Sequence, residues 1–146
     1  MGGAKTDQNL LAKAAGWLVG NWKGRGVWRF QDDAPMAGTM AVRWVAMGSF
    51  LEIAEAVRNT GGEIVHEDLL VLQALADGTL CAHHHMEGVI TPFAVSSEGS
   101  TLSYRPASGE EGPSWSHRRT DEGVDLRLWF ADPSGDPQIT FSYLPD

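Results

Sequence analysis

The sequence predicts an all-β fold: about ten short antiparallel strands closed into an up-and-down barrel, with a short helix plugging the N-terminal side. Three observations carry that prediction. From about residue 24 onward apolar residues recur at every second position, the period of a strand with one buried face. The alternating segments are separated by Met47-Gly48, Thr60-Gly61-Gly62, Asp77-Gly78, Glu87-Gly88, Glu98-Gly99, Glu122-Gly123 and Ser134-Gly135-Asp136, where glycine permits the positive φ of tight hairpin turns. The composition, with 17 Gly and 6 Trp in 146 residues, suits short strands and turns better than long helices.

The elements follow in order. Residues 1–6 read as a disordered start and 7–146 as one domain, within the ordinary size of a single fold. Thr6 or Asp7 is placed to cap a helix over 7–18, where Leu10, Leu11, Ala14, Ala15 and Leu18 recur at helical spacing. Gly16 and Gly20 argue for an early end. Strands are then predicted over 24–31, 38–46, 49–58, 63–73, 79–87, 89–96, 100–105, 114–120, 123–130 and 138–144, with 106–113 as a longer polar loop. The sidedness is clear near the end: Val124, Leu126, Leu128 and Phe130 share one face, Asp125 and Arg127 the other, and Ile139, Phe141 and Tyr143 line up likewise. An antiparallel meander must hide its edges, and closure does so most simply. An open sandwich has the same periodicity.

Charge bounds the partners. The net charge of −8 lacks the basic field that phosphate binding needs, so nucleic acid and anionic membrane surfaces are not expected. The single Cys81 cannot form an internal disulfide, which suits a reducing, cytoplasmic setting. A homodimer is left open.

The stretch Leu18-Val-Gly20-Asn-Trp22-Lys-Gly24-Arg-Gly26 resembles the opening of nitrobindin-like, calycin-related barrels, the superfamily of lipocalins and fatty-acid-binding proteins. So does Trp44-Val-Ala-Met-Gly48-Ser-Phe50-Leu51-Glu52, a strand that enters a Gly turn and leaves as Phe-Leu. Related uncharacterised bacterial proteins share this start, with an acidic-Ala-Pro-Met turn like Asp33-Ala-Pro-Met36. The resemblance implies that Trp22 plugs one end of the barrel and that Gly24 and Gly26 permit close approach of the helix and a tight bend. It also implies heme, bound through a His on the final strand. Here the final strand, Asp136 to Asp146, has no His. No cofactor is therefore predicted, and heme enters only as the alternative carried by the resemblance.

Candidate site residues come from the strands. His83-His84-His85 alternates across a strand, so His83 and His85 share a face and His84 takes the other. Two such imidazoles chelate a metal if a neighbouring strand adds a ligand, with His117, His66, Glu67 and Asp68 as candidates. None has a metal-site spacing, so no metal is predicted. Trp115, His117 and Arg119 share a face that is either a polar pocket end or a solvated stripe. Glu55 falls on the core face with Leu51, Ile53 and Val57, where it needs a partner, with Arg43 as the candidate. The aromatic excess predicts a cavity rather than a solid core, since ten strands enclose more space than side chains fill. Trp28, Trp44, Phe93, Tyr104, Trp115, Trp129 and Phe141 are the predicted ligand-binding residues. The expected function is binding of a small hydrophobic ligand. The alternative is an isomerase, cyclase or hydratase with His84 or His117 as base and Arg43 or Glu55 orienting the substrate.

Overall fold

The computed structural model describes residues 7–146. A helix α1 (Gln8–Ala15) and one 3-10 turn (Gly16–Leu18) precede ten strands. These are β1 (Gly20–Trp28), β2 (Ala34–Val45), β3 (Phe50–Arg58), β4 (Ile64–Ala74), β5 (Leu80–Met86), β6 (Val89–Glu98), β7 (Thr101–Pro106), β8 (Ser114–Arg119), β9 (Val124–Trp129) and β10 (Ile139–Pro145). Each strand pairs antiparallel with the next, and β1 pairs with β10 as well as β2, which closes the barrel. Closure leaves no sheet edge for another chain to pair with. The expected disordered start, 1–6, lies outside the described residues.

All ten expected strands form. The largest differences are at β1 and β2, which start at Gly20 and Ala34 instead of residues 24 and 38. In β1, Gly24 and Gly26, expected at the start of the strand, lie in its middle. A Cβ on Gly24 would stand 2.8 Å from the Tyr143 ring, and one on Gly26 2.5 Å from the Phe141 ring. The two rings of β10 lie flat across β1, and only glycine leaves them room. On β2, Gly38 serves the same purpose, since a Cβ there would stand 2.5 Å from the Tyr143 hydroxyl. The close approach is thus between two strands, not between helix and strand.

The helix begins where Asp7 accepts a hydrogen bond from the Leu10 amide, 3.0 Å, filling an orphan donor of the first turn. It buries Leu11, Ala14 and Ala15. The Asp7 amide in turn donates to the Ala74 carbonyl at the end of β4. These contacts seal the end of the barrel at which the β2–β3 and β4–β5 turns gather. Trp22 lies at this end and donates its indole N–H to the Leu18 carbonyl, 2.8 Å. The opposite end carries the loops after β1, β7 and β9, and it stays open.

Candidate functional site

Inside the open half lies a cavity of about 610 Å³. That is within the usual range of small-molecule sites. Its two walls differ in chemistry. Trp28 of β1, Phe93 of β6, Trp115 of β8, Leu126 and Leu128 of β9, and Phe141 of β10 form an apolar, largely aromatic wall. Phe93 and Trp115 meet edge to face with centroids 4.6 Å apart. Phe30 and Phe130 pack edge to face at the mouth, 4.9 Å apart, and both are exposed. A second concavity of about 760 Å³ runs outside, over β2 to β5, but it lacks an aromatic wall.

The facing wall is built from β3, β4 and β5, and it is polar. Alternation turns Glu55, His66, Asp68 and His84 inward, and pairing sets Glu55 opposite Asp68 and His84 opposite Leu70. His84 Nε2 donates to Asp68 Oδ2 at 2.7 Å, and His66 Nε2 stands 3.6 Å from the same oxygen. Tyr143 of β10 donates its hydroxyl to Glu55 Oε2 at 2.6 Å. Burial and the neighbouring Asp68 push the Glu55 carboxyl up to about 7, against the Tyr143 hydrogen bond. Burial also pulls Asp68 upward, but the imidazoles of His66 and His84 outweigh it and hold that carboxyl below its ordinary value. His66 is raised by its contact with Asp68, against burial. The Tyr143 phenol is held protonated by burial and by Glu55.

A second polar pair sits deeper, toward the helix. Tyr104 Oη and His117 Nδ1 share a hydrogen bond of 2.8 Å, and both side chains are buried. Tyr104 stacks on Trp115 with centroids 5.3 Å apart. Burial lowers His117 to about 4 and raises the Tyr104 phenol above its ordinary range. This pair does not line the cavity.

The predicted residues therefore separate. Trp28, Phe93, Trp115 and Phe141 line the cavity, as do His84 and Glu55. Tyr104 is packed behind Trp115. Trp44 lies near the closed end and is partly exposed, and Trp129 points outward, its indole donating to the Gly135 carbonyl at 2.9 Å. The expected Arg43–Glu55 partnership is corrected. Arg43 faces outward and pairs with Glu52 at 3.0 Å, because the two occupy opposite register positions on the outer face. Glu55 has Tyr143 instead. Trp115 and His117 turn inward while Arg119, at the strand end, is exposed. Of the four catalytic candidates, only His84 and Glu55 reach the cavity. His83 and His85 face outward, so they do not join His66 or Asp68.

From the sequence, Tyr143 was expected only as a core-face residue, and His66 and Asp68 only as possible third ligands to a His83–His85 pair. A signal was available in the period of two. In 64–74, His66 and Asp68 continue the face of Leu70, Leu72 and Ala74, so they were marked as inward by their own strand.

The chain is similar to the crystal structure of Rv2717c from M. tuberculosis, with a TM-score of 0.65 over 92% of this chain and 96% of that one, at 14% sequence identity. At that identity the likeness is one of fold alone. No protein-family model matches the chain, and no curated protein does. The last strand does not supply the heme ligand that the resemblance implies. The inward residues of the last strand are Ile139, Phe141 and Tyr143, and none offers an imidazole to iron. No described helix is long and apolar enough to cross a membrane.

Proposed function

We propose that this barrel binds one small, largely apolar molecule in its inner cavity. The observation that carries the reading is the pairing of a cavity of about 610 Å³ with an aromatic wall on one side and a compact polar wall on the other. Apolar surface drives the molecule in, and the polar wall fixes its orientation. The lone Cys81 and the acidic surface support a cytoplasmic carrier with no nucleic-acid partner.

Titration with N-phenylnaphthylamine, a neutral fluorescent apolar probe, tests this. Trp28 and Trp115 stand at the cavity, so their emission should be quenched saturably at one probe per chain. Phe141→Ala should weaken binding at least tenfold, whereas Trp129→Phe, outside the barrel, should leave it unchanged. Quenching that does not saturate, or that ignores Phe141→Ala, overturns the reading.

A further inference from the structure

The polar wall holds two carboxylates that no permanent cation answers. Glu55 and Asp68 are cross-strand partners, both inward, and among the described residues no Lys or Arg lines the cavity. One donor atom from each of Glu55, His66 and Asp68 lies within 4.8 Å of the other two. Both carboxylates are already fixed from behind, Glu55 by the Tyr143 hydroxyl and Asp68 by the His84 imidazole. Hydrogen bonds of this outer kind orient metal-binding carboxylates in known sites.

We propose that Glu55, His66 and Asp68 bind one divalent first-row transition-metal ion on the inner wall of the barrel, with Tyr143 and His84 as positioning residues. Metal–ligand bonds near ~2.0–2.2 Å need each group to close in by under about 1 Å, within the reach of side-chain rotation. One imidazole nitrogen with two carboxylate oxygens selects against calcium and magnesium, which prefer oxygen alone, and suits zinc, iron or manganese. The ion would offset the buried negative charge that the wall otherwise carries. Three protein ligands leave coordination positions facing the cavity, the arrangement of a site open to a ligand rather than a closed structural one. The inference stands apart from the apolar-ligand reading, since it rests on the polar wall alone.

The test uses the full chain, stripped with chelator, titrated with Zn²⁺ by calorimetry and with Co²⁺ by visible absorption. One ion per chain is expected. Glu55→Gln, His66→Gln and Asp68→Asn should each weaken binding at least tenfold, and Tyr143→Phe should weaken it about 10–100-fold, as outer-partner losses do. The competing site is outside: His83 and His85 share the outer face of β5 and could chelate a metal as a surface pair. The double variant H83Q/H85Q should keep full affinity. Absence of binding by the unaltered chain overturns the proposal, as does affinity lost in H83Q/H85Q but kept in His66→Gln. Far-UV circular dichroism checks that each variant folds, and the cobalt spectrum of the unaltered chain is an independent readout. It should show nitrogen ligation, and an oxygen-only spectrum overturns the proposal. N-phenylnaphthylamine titration of the same samples keeps the two readings separable: metal loss with probe binding intact touches this inference alone.

Discussion

The barrel contains two polar groupings, and they behave oppositely. Tyr104 and His117 form a closed pair: one hydrogen bond, both side chains buried, Trp115 stacked over the phenol. Burial is answered by a single neutral partner, and the imidazole stays uncharged. The wall of Glu55, His66, Asp68 and His84 is open to the cavity and mixes groups of opposite tendency, with one carboxyl raised and another lowered a strand apart. Polar groups that satisfy one another completely stabilise a core, whereas groups that converge on an empty volume with unmet charge define a site. The contrast explains why His117, equally titratable in sequence, is not placed with the functional residues.

Trp115 covers the closed pair and also lines the cavity. Trp115→Ala should lower stability by about 3–5 kcal/mol, the usual cost of deleting a large buried aromatic, measured by denaturant unfolding. It should also abolish probe binding. A loss of probe binding with stability intact would show that Trp115 serves the cavity alone.

The second effect is pH dependence. His117 is near 4 when folded and near 6.5 when unfolded, so the unfolded chain binds the extra proton first. Its contribution is complete above about pH 6.5 and is lost as pH falls toward 4, by up to about 3 kcal/mol at 1.36 kcal/mol per unit. Glu55 acts in the opposite sense, because its folded value near 7 exceeds the ordinary 4.5, and that contribution is lost as pH rises through 7. The two offset one another in the native chain, so His117→Gln is the informative variant. The stability difference between native chain and His117→Gln should shrink as pH drops from 6.5 to 4. A difference independent of pH would show that His117 is not held neutral by burial.

The smallest effect separates the two phenols. Tyr104→Phe strands His117 Nδ1 in a sealed interior and should cost about 1–3 kcal/mol. Tyr143→Phe frees Glu55 Oε2 on the cavity side, where solvent replaces the hydroxyl, and should cost about 0.5–1.5 kcal/mol. Equal costs in thermal or denaturant unfolding would mean that the two groupings are equally sealed.

Much of the fold was legible because the barrel is built from local rules. Period-two alternation, glycine-bearing turns and the Asp7 cap each act within a few residues, and each strand found its place with an error of a few positions at most. The end-plug role of Trp22 was an implication of the resemblance, not of these local rules; its indole meets the Leu18 carbonyl four residues away. The inward turn of Glu55 was also readable from its strand. Its partner was not. Arg43 lies on the adjacent strand and carries the right charge, but parity points it outward, while Tyr143 lies 88 residues away and meets Glu55 across the barrel. Trp44 and Trp129 failed as cavity residues because aromatic character says nothing about which face, or which end, a strand position occupies.

The sequence by itself determined the class of fold, the number of strands and the face each residue takes within its own strand, because alternation and turn chemistry are short-range. Only the tertiary structure decided which faces look inward together. Closure of β1 on β10 carries Tyr143 over the glycines of β1 and β2 to Glu55. The β3–β4–β5 register gathers Glu55, His66, Asp68 and His84 on one wall. Such contacts depend on strand register and barrel curvature, which are set by the packing of the whole chain at once, and no stretch of sequence records them.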